Sequence, residues 1–270
     1  FVRPHVPLVA PKEYFDIYER EAMVAPVVPE NDLDDVPRII RGYKSNNTTY
    51  GVTPELHKGL LQAYYASVSY MDAQAGRVLD ALQEKGLADN TIVVLTSDHG
   101  YLLGHHHKYQ KQHLFEEATR VPFIISVPWI KEMHGRGTTK ITELVDLYPT
   151  LTDLAGIPAP EKLQGISLKP LLADTESPEW RKKQAFTISR NGGESLRTDD
   201  WRFTQWGFGE KGMELYDLKK DPGEFTNQAR NPKYRSVRDD LQKRLLAKRK
   251  EAGFDENQAE IVGKKKSRTR

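Results

Sequence analysis

Apolar side chains recur at Leu60, Tyr64, Val68, Met71, Ala75, Val78 and Leu82, the three-four spacing that gathers one stripe on one face of an α-helix. Pro54-Glu55 opens this stretch and Gly86 suits its C-terminal end, so the pattern predicts a helix of roughly 30 residues. Past the turn residues Asp89-Asn90 the period disappears. Thr91 to Thr96 is an unbroken β-branched and apolar run that stops at Ser97-Asp98-His99-Gly100. Such a run reads as a strand buried on both faces, the kind found in parallel sheets. A second run, Val121 to Val127, reads as another buried strand, with Pro122 tolerated at its start. Glu143 to Gly156 predicts a short helix with Pro149 in its first turn and Gly156 past its end. A further short helix is expected around Ser167 to Leu172 within a loop over 157–183. Residues 1–54, rich in Pro, Asp and Asn, have little periodicity and read as extended loop. From about 184 four short segments, Ala185–Arg190, Glu194–Thr198, Trp201–Trp206 and Met213–Leu218, alternate with Gly- and Asp-rich turns, the signature of an antiparallel meander. Val237 to Ala252 then predicts a cationic amphipathic helix with Leu241, Leu245 and Leu246 inward.

A helix feeding a buried strand is the unit of an α/β sheet, and strands followed by a helix form a small α+β unit. The expected organisation is therefore an α/β part over 1–183, an α+β subdomain over 184–258 and a basic, disordered tail over 259–270. Composition agrees with a globular piece: 38% hydrophobic and 29% charged residues allow a core under a very polar surface. No apolar run reaches the length that spans a bilayer. The net charge of +2 belongs to the tail, because Lys264–Arg270 holds five cations and no acid, which leaves −3 for the rest. Without interleaved aromatic residues this tail gives no reason to expect a nucleic-acid partner. The absence of cysteine excludes disulfides within the chain. Asn46-Asn47-Thr48-Thr49 contains overlapping glycosylation sequons, relevant only in a eukaryotic secretory protein.

The chemistry concentrates at one strand end. Ligands of open α/β sheets bind beyond the carboxyl ends of the strands, which is where Asp98 and His99 fall. Asp98 could instead cap a turn, with Gly100 supplying a positive φ. The segment that follows, Leu103 to Lys111, holds three histidines and two lysines without clear periodicity. A cationic loop beside an acid suits an anionic substrate with a metal also present. Near the start, Arg3-Pro4-His5-Val6-Pro7 fixes an imidazole between two stiff prolines.

Four separated pieces carry a family resemblance, in order along about 230 positions: Arg3-Pro4-His5-Val6-Pro7, Tyr64 to Asp72, Thr96 to Gly100 with Lys111 downstream, and Glu214 to Glu224. In these pieces the chain resembles the sulfatases of the alkaline-phosphatase-like superfamily, and within them the iduronate-2-sulfatase branch. The resemblance implies the second part of an α/β sulfatase fold, a mixed sheet flanked by helices, closed by a small antiparallel sheet packed on a helix. It implies a calcium-dependent sulfuric ester hydrolase acting on sulfated carbohydrate. Asp98 and His99 would be metal ligands, His99 standing where many sulfatases have Asn. Lys111, rather than the neighbouring Lys108, would contact the sulfate. His5 would contact sulfate and protonate the leaving alcohol. His106 could line the pocket, and Tyr101 could either stack on a sugar ring or serve packing. Arg197 could pair with a uronate carboxylate, although a structural ion pair is the favoured reading. No second metal site is expected in the histidine run, because no carboxylate stands at ligand spacing within it. The segment Asp217–Glu224 is expected to be architectural.

The resemblance also leaves a gap. Sulfatases of this kind draw two further metal-binding aspartates and a formylglycine nucleophile from an N-terminal half. This chain has neither cysteine nor a Ser-x-Pro-x-Arg substitute. The expectation is the C-terminal part of a longer enzyme, inactive alone, partnered by its N-terminal half and located in the periplasm, outside the cell or in the lysosome. A phosphoesterase or phosphonate hydrolase of the same superfamily, or an inactive fragment, are the alternatives.

Overall fold

The computed structural model describes residues 1–42 and 46–254; the basic tail expected at 259–270 lies outside them. Before residue 54 the described residues run mostly without regular structure, with single helical turns at Lys12–Phe15, Arg38–Arg41 and Asn47–Tyr50. Helix α1 (Pro54–Glu84) begins where Thr53 accepts the Leu56 amide on its hydroxyl and Pro54 occupies the first turn, and ends just before Gly86 at φ +65°. Its burial is centred on Leu61, Ala66 and Ser67. The expected stripe is only half-buried from Leu60 to Ala75, and Val78 is 60% exposed. The apolar period located the helix, but its best-covered positions, Leu61, Ala66 and Ser67, lie off that stripe.

Strand β1 (Val93–Thr96) pairs antiparallel with β4 (Phe123–Ser126), Val94 opposite Ile125 and Leu95 opposite Ile124. The expectation of a strand buried on both faces and paired in parallel is thus corrected for this stretch. With one neighbour each, both strands are half-buried. Only the Phe123 and Ile125 face of β4 packs, against Leu168, Leu171 and Trp180. Between these strands lie the two-residue ladder β2 (Leu102–Leu103) with β3 (Tyr109–Gln110) and the short helix α2 (Glu116–Thr119). Helix α3 (Leu147–Leu154) holds Pro149 in its first turn, and Gly156 follows it at φ +65°. Helix α4 (Lys169–Ala173) contributes Leu171 to the Trp180 cluster.

The C-terminal part is the expected meander. Strands β5 (Gln184–Ile188), β6 (Gly193–Thr198), β7 (Trp201–Trp206) and β8 (Met213–Asp217) pair antiparallel in chain order. Alternation sorts their two faces. Leu196, Phe203 and Leu215 pack on Leu241 and Leu245 of helix α5 (Arg235–Glu251). On the other face Trp206 and Tyr216 join Val36, Ile40, Leu102, Leu114 and Phe115 in a second core. That core binds the sheet to the loop carrying the candidate chemistry. Leu246, expected inward, is exposed, and Arg249 is buried in its place. The chain is thus an α/β molecule closed by an antiparallel sheet and helix.

Candidate active site

The β1 strand ends into an open groove of about 1850 Å³ lined by Asp98, His99, Lys111 and Arg197, among others. Gly100 makes the exit from the strand possible by close approach and not by a positive φ: its amide donates to Ala118 O at 2.9 Å, and a Cβ there would lie 1.9 Å from Glu117 O. The turn is therefore pressed onto α2, and Asp98 projects from it with its side chain 84% exposed. One Asp98 oxygen accepts the His99 amide at 3.1 Å; the other stands 3.4 Å from His99 Nε2. His99 Nδ1 lies 2.9 Å from Gly100 O, a contact that needs the Nδ1 proton and leaves Nε2 basic. A carboxylate with spare acceptor capacity beside a basic imidazole nitrogen is a donor pair suited to a divalent cation. Both come from one turn, so they supply part of a coordination shell.

Lys111 is half-buried and makes no ion pair among the described residues. Gln110 before it and Gln112 after it both have positive φ, 69° and 122°, so the chain around it is sharply folded. Lys108 is instead fully buried, donates to Arg41 O at 3.3 Å, and has its pKa lowered by that burial. Arg197, on β6, is 3.6 Å from Glu116 and donates to Thr198 O at 2.5 Å. Its ion-pair partner is Glu116.

His5, Tyr101 and His106 are not among the residues lining the groove. His5 is exposed, with Nδ1 2.7 Å from Val6 O. Tyr101 stacks on Tyr64 at 5.5 Å, and burial pushes its hydroxyl pKa up to about 12. His106 is 1% exposed, stacked on Phe115 at 3.7 Å and paired with Asp32. Its backbone is left-handed, φ 54°, as is that of His107, φ 51°, but only His106 of the three is buried. A pocket-lining place for His106 is thereby corrected to a core one.

A buried charge network behind the groove escaped the sequence reading. Arg202 on β7 pairs with both Glu116 and Glu224, and Glu224 also accepts the Glu116 amide at 2.8 Å. Glu224 sits at φ 58° in the turn beyond β8, which gives the Asp217–Glu224 segment its architectural part. The partners are 22 to 108 positions apart, so no local spacing could announce them. The one local sign was a period-two strand carrying an arginine at an inward position.

Comparison with known proteins converges on one family. A family model described as Sulfatase matches residues 1–157, and one described as N-sulphoglucosamine sulphohydrolase, C-terminal, matches 104–251. A sulfatase of Formosa agariphila is 35% identical over 92% of this chain and 48% of its own length. An arylsulfatase of Clostridium perfringens is 36% identical over 91% and 51%. Mouse iduronate 2-sulfatase is 30% identical over 76% and 50%, so that branch is one relative among several and is not singled out. The chain spans about half the length of these curated relatives. A protein solved in complex with its substrate D-glucosamine-2-N,6-O-disulfate shares the fold at TM-score 0.80 and 24% identity, over 96% of this chain and 65% of that one. A phosphonate monoester hydrolase from Silicibacter pomeroyi superposes at TM-score 0.81 and 26% identity, over 93% and 55%.

Proposed function

The chain belongs to the sulfatase family, and from that premise we propose that it forms part of an enzyme that hydrolyses sulfate esters of carbohydrate. The observation that carries the reading is the convergence of Asp98, His99 and Lys111 on one groove. Asp98 and His99 Nε2 would hold a calcium ion, whose contribution is to neutralise sulfate oxygens. Lys111 brings a half-buried ammonium that offsets charge developing on the sulfuryl group. His5 would protonate the departing alcohol. Arg197 is a secondary contact for a substrate carboxylate, in competition with Glu116. Tyr101, stacked on Tyr64 and outside the groove lining, is read as packing. The chain contains no cysteine, so a formylglycine nucleophile derived from cysteine would come from residues of the parent enzyme outside it, as would the remaining calcium ligands. Iduronate-2-sulfate is one candidate substrate among sulfated glycosaminoglycan sugars, and export or lysosomal delivery would suit such a task. Among the described residues no helix is long and apolar enough to cross a membrane.

The test is sulfate release from an activated aryl sulfate and from sulfated disaccharides, with calcium, by this chain and by a form extended to the length of its relatives. Activity in the extended form alone is expected. Asp98→Ala in that form should lose activity by at least about a thousandfold, in the range of losing a major electrostatic element. Full turnover by that variant would remove Asp98 from the site. The likeness to a phosphonate monoester hydrolase supports a second reading, and cleavage of phosphonate esters with sulfate esters untouched would select it.

A further inference from the structure

Behind the groove, His106 Nδ1 faces the two oxygens of Asp32 at 3.1 and 3.3 Å. That contact holds the Nδ1 proton toward the carboxylate and leaves Nε2 as the basic nitrogen. Nε2 is buried without a hydrogen-bond partner, and so is Glu117 Oε2, 3.9 Å away. Two covered, orphaned acceptors facing each other are costly unless something positive lies between them. Glu224 completes the group: His106, Glu117 and Glu224 each offer a ligand atom, all within 4.8 Å of one another. Asp32 and Glu117 flank His106, while Arg202 and Arg197 are engaged with Glu116 and Glu224.

We propose that His106 Nε2, Glu117 and Glu224 form a second divalent metal site, separate from Asp98 and His99, that takes a zinc-class ion. A divalent cation satisfies both orphaned acceptors at once. One imidazole with carboxylates is a donor set for zinc more than for calcium, and Asp32 behind the imidazole is the usual outer support of such a ligand. Glu224 already accepts from Arg202 and from the Glu116 amide, yet each carboxylate oxygen keeps a second lone pair. Tetrahedral ligands about 2.0–2.2 Å from zinc stand roughly 3.4 Å apart, so His106 and Glu117 need to close by only about half an ångström. Bound there, the ion ties the histidine loop and α2 to the turn beyond β8, and so joins the two parts of the molecule. The expectation that the histidine run lacks a second metal site considered only carboxylates within the run; these come from 117 and 224. The inference does not depend on the sulfatase reaction.

The measurement is zinc content and affinity of the full chain carrying Asp98→Ala, so that the groove carboxylate cannot contribute, after stripping with chelator, reloading with zinc and dialysis to remove free metal. One zinc retained per chain is expected, with a higher melting temperature in its presence and, on cobalt substitution, visible d–d bands. Glu117→Gln, added to that background, should weaken binding at least tenfold and abolish the zinc-dependent rise in melting temperature. Its melting temperature without metal should be equal or higher, because an orphaned charge is gone. That partly exposed position keeps the test open if His106 variants fail to fold. No retained zinc and no thermal response in the Asp98→Ala chain, or binding by Glu117→Gln equal to its parent, would overturn the site and leave a water or a shared proton between His106 and Glu117.

Discussion

Gly100 shows how one residue sets the geometry of the candidate site. A methyl group there would overlap Glu117 O, and neither partner is a flexible side-chain end. Gly100→Ala must therefore push the Asp98-His99 turn off α2, at a cost of about 1–3 kcal/mol or more for forced overpacking. Denaturant melts should show that loss, whereas Gly76→Ala on α1, with open space around it, should be neutral or stabilising. Glu214 makes a different residue-scale point. It lies buried beneath the Trp206 indole N–H and the Tyr216 hydroxyl, and burial pushes its pKa up to about 7 despite both donors. The folded state then binds more protons than the unfolded chain between about pH 4.5 and 7, so this group makes stability fall as pH rises through that window and level off above it. His113 acts in the opposite sense: burial lowers its pKa to about 4, so it costs stability as pH falls from about 6.5 toward 4. Glu214→Gln keeps its one oxygen for the Trp206 N–H and turns its amide N–H to the Tyr216 hydroxyl, which then accepts; it should remove the loss above the acid range, making the variant more stable than the parent at pH 8 and no better at pH 4.5. Thermal melts across that range check it. Asp98 was legible in the sequence because a strand run ended on it. Which histidine of three points inward was not, since the decision is made by Asp32, 74 positions away.

At the scale of elements, the C-terminal meander and helix were readable because each carries its own period and its neighbours in sequence are its neighbours in space. Even there, one side chain was misplaced. Positions 241, 245 and 249 follow one face at four-residue steps, and Arg249 completes the stripe because its guanidinium pairs with Glu194 and lies 4.3 Å from the centre of the Phe208 ring. A charged residue ends an apolar stripe on paper and continues a buried one when a carboxylate waits on the sheet. Truncation should separate the two leucines. Leu245→Ala, fully buried against β6 and β7, should cost about 2–5 kcal/mol, and exposed Leu246→Ala no more than about 0.5 kcal/mol. Equal effects in urea melts would mean that the helix is rotated from the face described. The β1 run was equally plain as a strand, but apolar content states that a strand wants cover and not which strand provides it.

The whole molecule is unevenly covered, and that asymmetry bears on what surrounds it. The sheet of β5 to β8 is packed on both faces, by α5 and by the loop core. The β1–β4 ribbon has one packed face, and Ile124, central in an apolar run, is 60% exposed. Val78 and Trp129 are exposed as well. Large apolar side chains left in water mark a surface meant to be covered, and Ile124 also lines the groove. In the proposed reading the cover is the rest of the sulfatase, the half-length of its relatives that this chain does not span. The expected result is a split response to one substitution. Ile124→Lys should leave the melting of this chain within about 0.5 kcal/mol, as for other exposed sites, and should improve its solubility by breaking the apolar patch. In the full-length enzyme the same lysine would be buried without a partner at a cost of several kcal/mol, seen as lost folded yield and lost sulfate release. Equal tolerance in both forms would mean that the ribbon stays open to solvent in the complete enzyme, and that its apolar surface serves something other than the missing half.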